Sequence, residues 1–118
     1  NSSEQDINAV VKKSYDTAVS LCRPGTVVSD IDVAARDILQ DAGLGPYIMH
    51  RTGRTLGCES PEIPIAEGIQ RKLKANMILS IEPSVYMDGF QSRIESTFMI
   101  TEDGPQLLTP VPEQMIMI

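Results

Sequence analysis

The dipeptide Asp88-Gly89 separates two strand-like runs, Met77 to Met87 and Phe90 to Thr101. Asp-Gly between such runs is a strong hairpin signal, because the tightest two-residue turns need positive φ at their central positions. With Met87 paired to Phe90, side-chain alternation fixes every later partner. Glu82 falls directly opposite Glu95, with Cβ atoms roughly 4.5–5.5 Å apart. One face carries Ser80, Glu82, Ser84 and Tyr86 against Thr97, Glu95, Arg93 and Gln91. The other carries Leu79, Ile81, Pro83 and Val85 against Phe98, Ile94 and Phe90, with Ser96 and Ser92 between. The second face is expected to take helices, and the first to present two carboxylates. Pro83 predicts a bulge or an edge position, since it has no N–H for a ladder.

Upstream, residues from about Asp6 to Cys22 have the spacing of an amphipathic helix, ended by Arg23-Pro24-Gly25. A second helix is expected from Ser29, the predicted N-cap, with Asp30 and Asp32 complementing the helix dipole. Gly43 closes it. Tyr47–Met49 and Arg54–Leu56 read as short strands, and Ser60 to Ile65, with two prolines, as an extended loop. Gly53 and Gly57 read as turn residues of positive φ. Glu102 to Pro105 is a turn, followed by a strand over Gln106 to Thr109. The predicted fold class is α+β, a single domain over 1–118: two helices on one face of a small, mainly antiparallel sheet.

Two like charges opposite one another destabilise a sheet unless something compensates. A metal ion, a shared proton or an intervening cation each does so. A solvated face, where both glutamates stay ionised at small cost, is the plain alternative.

The net charge of −6 argues against nucleic-acid and anionic-membrane partners, which require clustered Lys and Arg. No apolar run approaches the roughly 20 residues of a membrane span. The opening residues Asn1 to Asp6 lack the regions of a signal peptide. Cys22 and Cys58 show no C-x-x-C spacing, so no disulfide framework is implied and a reducing, cytoplasmic setting is expected. His50, the one histidine, excludes a multi-histidine metal site. The six methionines read as core or interface filler.

The stretch Leu73-Lys74-Ala75-Asn76-Met77-Ile78-Leu79-Ser80-Ile81-Glu82-Pro83 resembles the "L-K-P-G-M-V-F-T-I-E-P-G" of the pita-bread metallopeptidases, the Xaa-Pro dipeptidase, aminopeptidase P and creatinase family. Arg93-Ile94-Glu95-Ser96-Thr97 resembles its "R-I-E-D-T". Thr101 to Thr109 resembles its "T-E-D-G-P-E-x-L-T". Arg23-Pro24-Gly25-Thr26 and Asp32-Val33-Ala34-Ala35-Arg36 resemble its "K-P-G-x" and "D-x-A-A-R". The match runs along nearly the whole chain in order and implies the carboxy-terminal half of a pita-bread catalytic domain.

In that family two divalent cations (manganese, cobalt or zinc) are held by two Asp, one His and two Glu. The Glu positions match Glu82 and Glu95. The ligand histidine of "H-G-x-G-H-x-x-G" falls at Arg54, and its first histidine, which helps bind substrate, falls at His50. A further histidine, in "V-H-E", falls at or beside Pro61, followed by Glu62. The two aspartates belong to an amino-terminal half that precedes the first helix.

A guanidinium stays charged and cannot ligate a metal. The resemblance therefore implies no catalytic metal in this chain, and peptidase activity lost or altered as it stands. Glu82, Glu95 and His50 become vestigial or substrate-binding. Two other classes stay open: a non-catalytic peptide-binding or interaction module, and a metal-free C–N hydrolase in a longer parent. Arg54 is expected to reach Glu82, Glu95 or both, with Arg93 the alternative cation, and His50, Arg54 and Arg93 are the candidate substrate-binding residues; a surface Arg54 and a loop His50 satisfied by backbone groups are the plain readings. Expected partners are a second copy of the chain or the amino-terminal half, and a peptide or small C–N substrate.

Overall fold

Helix α1 (Ser2–Ser20) starts a turn earlier than the apolar spacing requires, with Glu4 favouring the positive end of the dipole. It ends two residues short of the expected Cys22. The amides of Leu21 and Cys22 reach back only three residues, to Ala18 O and Val19 O at 3.2 and 3.0 Å, which tightens the last turn before Pro24. The computed structural model describes residues 2–56, 63–108 and 115–117.

Helix α2 (Val28–Asp41) begins one residue before the predicted cap. Ser29 is not the N-cap. The first helical N–H groups, of Val28 and Ser29, donate instead to the carbonyls of Arg71 and Ile69 at 2.8 and 3.0 Å. A neighbouring segment of main chain thus satisfies donors that a side chain usually covers. The Ser29 hydroxyl is released for another task and accepts the Gly68 N–H at 2.9 Å. The carboxy terminus follows the expectation. Gly43 adopts φ +82, its N–H bonds Gln40 O, and Leu44 N–H bonds Leu39 O, the paired bonds of a Schellman ending.

The strand expected over Tyr47–Met49 is replaced by a short 3-10 helix, Gly45–Tyr47. Pro46, with fixed φ and no donor, suits the start of a helical turn better than a ladder. Strands follow as β1 (Gly53–Leu56), β2 (Pro64–Ile65), β3 (Ile78–Ile81), β4 (Ser84–Met87), β5 (Phe90–Ile94), β6 (Ser96–Thr101), β7 (Gly104–Leu107) and β8 (Met115–Met117). One sheet has the order β2-β1-β3-β6-β7 and a smaller one β4-β5-β8. Every strand pairing among the described residues is antiparallel. The β6–β7 turn is only Glu102-Asp103, so β7 starts at Gly104, two residues before the predicted strand.

The hairpin keeps its register along its whole length. Met87 faces Phe90, Ser84 faces Arg93, Ile81 faces Ser96 and Ile78 faces Met99. Of the bulge or edge position predicted at Pro83, the bulge is absent and the edge holds: β4, which follows it, is an outer strand of the smaller sheet, and the hairpin changes sheet there. Pro83 offers no N–H, and the Glu82 N–H turns away to Thr52 O at 2.7 Å. The Pro83 carbonyl still accepts the Ile94 N–H at 3.3 Å, while the strands break off at residues 82–83 and 95 and resume in the other sheet.

Gly53 does not have the positive φ expected of it. It is a close-approach residue: a Cβ there would stand 1.9 Å from Ser80 O, inside the backbone of β3. Gly57, Cys58, Pro61 and Glu62 lie outside the described residues.

The apolar face of the hairpin takes both helices. Val11, Tyr15 and Ala18 of α1 and Ile31, Ala35 and Leu39 of α2 bury against Leu79, Ile81, Val85, Ile94, Phe98 and Ile100. Each large aliphatic or aromatic side chain so buried contributes roughly 1.5–3 kcal/mol of transfer free energy. Ser14 Oγ donates to Ala35 O at 2.8 Å and locks α1 to α2. Cys22 packs in this core as a free thiol, its pKa pushed up to about 12 by burial. Among the described residues no helix is long and apolar enough to cross a membrane.

Candidate functional site

Glu82 and Glu95 occupy the gap between the two ladders, where the hairpin leaves one sheet and enters the other. Their carboxyl groups interact, Glu95 acting on Glu82. Glu82 is half-buried and Glu95 exposed. Burial pushes the Glu82 carboxyl up from the ordinary glutamate range, and the Glu95 carboxyl pushes it the same way. The Arg54 charge opposes the shift, as does the Ser80 hydroxyl to a smaller degree, although Ser80 Oγ completes no well-formed hydrogen bond. These surroundings favour the neutral form of Glu82 relative to a free glutamate.

Two cations divide the remaining compensation. Arg93 Nη2 lies 3.7 Å from Glu95 Oε1, while Arg54 acts on Glu82. Arg54 stands on β1, opposite Ser80 of β3, because Gly53 brings that strand so close. Arg54 is exposed and lines the pocket beside Glu82.

Met49, His50, Arg51, Arg54 and Glu82 line an open pocket of about 300 Å³. His50 is placed by two contacts. Its carbonyl accepts from Arg36 Nη2 at 3.2 Å, and its ring meets Tyr86 edge-on, with centroids 5.2 Å apart. The structure therefore brings His50, Arg54 and Glu82 to one pocket, with Glu95 acting on Glu82 and Arg93 paired to Glu95.

Asp32 is the residue that sequence reasoning misjudged. It does not merely complement the α2 dipole; its buried carboxylate accepts from Thr52 N (3.1 Å), Thr52 Oγ1 (2.6 Å), Glu67 N (2.9 Å) and Arg36 Nε (2.8 Å). The available signal was the spacing of Asp32 and Arg36, one helical turn apart on one face.

Among the described residues no three His, Cys, Asp or Glu side chains converge as a metal site. The two carboxylates that do meet have the positive charge of Arg54 acting on Glu82. A divalent cation needs deprotonated oxygen donors and no competing positive charge, so these residues do not fit a two-cation centre.

The model of metallopeptidase family M24 matches residues 1–102. The chain belongs to family M24. An Xaa-Pro dipeptidase of Lactobacillus delbrueckii subsp. lactis is 36% identical over 113 residues, spanning 94% of this chain and 31% of that protein. The dipeptidase PepE structure from Mycobacterium ulcerans superposes with TM-score 0.84 at 37% identity, over 92% of this chain and 30% of its own. The prolidase structure from Pyrococcus horikoshii OT3 reaches TM-score 0.87 at 30% identity, over 98% of this chain and 34% of its own. The M24 chain described here thus has the α+β arrangement of pita-bread proteins and spans about a third of the length of these relatives.

Proposed function

We propose that this M24 chain is a hydrolase-derived module that does not perform metallopeptidase chemistry as it stands. It retains the pocket of an Xaa-Pro dipeptidase-like site and recognises a peptide or small C–N compound there without a catalytic metal. One observation carries this reading: Arg54 lines the pocket and its charge acts on Glu82. A guanidinium is charged at every accessible pH, cannot donate a lone pair to a cation, and repels one. Without a bound cation, these residues have no means of making a metal hydroxide near neutral pH.

Calorimetric titration with manganese, cobalt and zinc, together with an Xaa-Pro dipeptide hydrolysis assay, tests it. Weak or undetectable binding and no hydrolysis above blank are expected. Stoichiometric tight binding abolished by Glu82→Gln overturns it.

A second reading is metal-free C–N hydrolysis in a longer parent, supported by the Glu82–Glu95 pair beside His50. A carboxyl with a raised pKa is a usable proton donor, and an imidazole in the same pocket a usable acceptor. Hydrolysis that survives EDTA and is lost in both Glu82→Gln and His50→Asn selects this reading. For partners, exposed Met49, Ile78 and Leu108 and the outer edge of β7 support association with a second copy or with an amino-terminal half. The buried free thiol of Cys22 supports a reducing, cytoplasmic setting.

A further inference from the structure

Residues 50–52 carry one wall of the pocket, and they run between the short 3-10 helix and β1 outside both sheets. Two residues of α2 hold this segment at both ends. Arg36 Nη2 donates to His50 O at 3.2 Å. Asp32 accepts from both the N–H and the hydroxyl of Thr52, at 3.1 and 2.6 Å. Thr52 then passes the constraint on, because its carbonyl accepts the Glu82 N–H at 2.7 Å. A third bond to Asp32, from Glu67 N at 2.9 Å, fixes the loop that follows β2.

We propose that Asp32 and Arg36 are positioning residues that set the pocket from helix α2, Arg36 by holding the His50 carbonyl and Asp32 by holding Thr52 and, through it, the backbone of Glu82. The chemistry of the pair suits the task. The Asp32 side chain is 1% exposed and is surrounded by the donors of Thr52, Glu67 and Arg36, so losing one leaves a buried polar group short of a partner. Arg36 must act in two directions, with Nε on Asp32 and Nη2 on His50 O. A planar fork does this; the single ammonium of a lysine does not. Neither residue lines the pocket, so neither is catalytic. The proposal rests on the reading above only in taking this pocket as the site.

The single histidine makes the test direct, since its ring protons give one set of NMR signals. In the wild-type chain, His50 ring protons should show NOEs to the Tyr86 ring, and Tyr86→Leu should move the His50 signals by removing the ring current. Arg36→Met should abolish the His50–Tyr86 NOE while the thermal unfolding transition stays cooperative. Arg36→Lys should retain pairing with Asp32 yet weaken the NOE several-fold. A folded Arg36→Met chain with wild-type His50 signals and NOE overturns the proposal, because a merely stabilising ion pair leaves the ring where it was. If Arg36→Met fails to fold, Arg36→Lys decides: a weakened NOE supports the proposal and a wild-type NOE overturns it. Tight metal binding in the titration described above would remove the functional reading and leave this NMR outcome to stand or fall separately.

Discussion

Two carboxylates in this small chain receive opposite treatment. Asp32 is buried and meets four donors, two of them backbone amides and one a guanidinium. Glu82 is half-buried, and another carboxyl, that of Glu95, acts on it. Burial at Asp32 is matched by hydrogen bonds to the charged form, whereas burial at Glu82 is met by a like charge, which favours the neutral form. The first arrangement organises neighbouring segments. The second leaves a carboxyl of raised proton affinity at a pocket wall, the condition expected of a binding or proton-transferring site.

If this contrast is sound, the largest mutational effect lies at the structural carboxylate. Asp32→Asn should lower stability by about 3–5 kcal/mol, because it strands the Arg36 charge and presents donors to the donors of Thr52 and Glu67. Urea unfolding at neutral pH measures it, and a loss below about 1 kcal/mol would place Asp32 with ordinary surface ion pairs.

Arg54→Ala should cost less, about 1 kcal/mol at neutral pH, since its side chain is exposed and screened. Arg54 favours the ionised form of Glu82, so its contribution is present while Glu82 is charged and fades as falling pH protonates it. The stability difference between Arg54→Ala and wild type should therefore close in acid.

The smallest effect, and the one of opposite sign, belongs to Glu82→Gln. A carboxyl whose pKa is raised on folding binds its proton more tightly in the folded chain. Its stabilising contribution is complete below the ordinary glutamate range and is lost as pH rises through the raised value. Glutamine removes that slope. The variant should gain roughly 0.5 kcal/mol over wild type at neutral pH, after solvent screening, with the curves converging in acid. A thermal-midpoint series against pH reads both glutamate effects, and an unchanged slope in Glu82→Gln would break the contrast.

The glutamate pair was legible in the sequence because one turn fixes a long register: from Asp88-Gly89, alternation alone carries Glu82 to Glu95. The helices were legible from apolar periodicity, and the end of α2 from Gly43. What escaped depends on partners distant in sequence. The start of α2 is set by carbonyls some forty residues downstream, so Ser29 looked like a cap and is not one. Gly53 looked like a turn residue, whereas its constraint comes from Ser80 of another strand. Asp32 looked like a dipole partner because Thr52 and Glu67 are adjacent to it only in space.

The passage of one hairpin through two sheets has a consequence for how such a molecule changes over evolutionary time. Glu82 and Glu95 stand in neither ladder, and the Glu82 amide is anchored to Thr52 by an atom that every residue except proline possesses. The scaffold is therefore indifferent to which side chains occupy its reactive gap. A lineage can exchange the chemistry there, or abandon it, while the surrounding architecture drifts no further than its relatives, so that shape persists as an inheritance independent of trade.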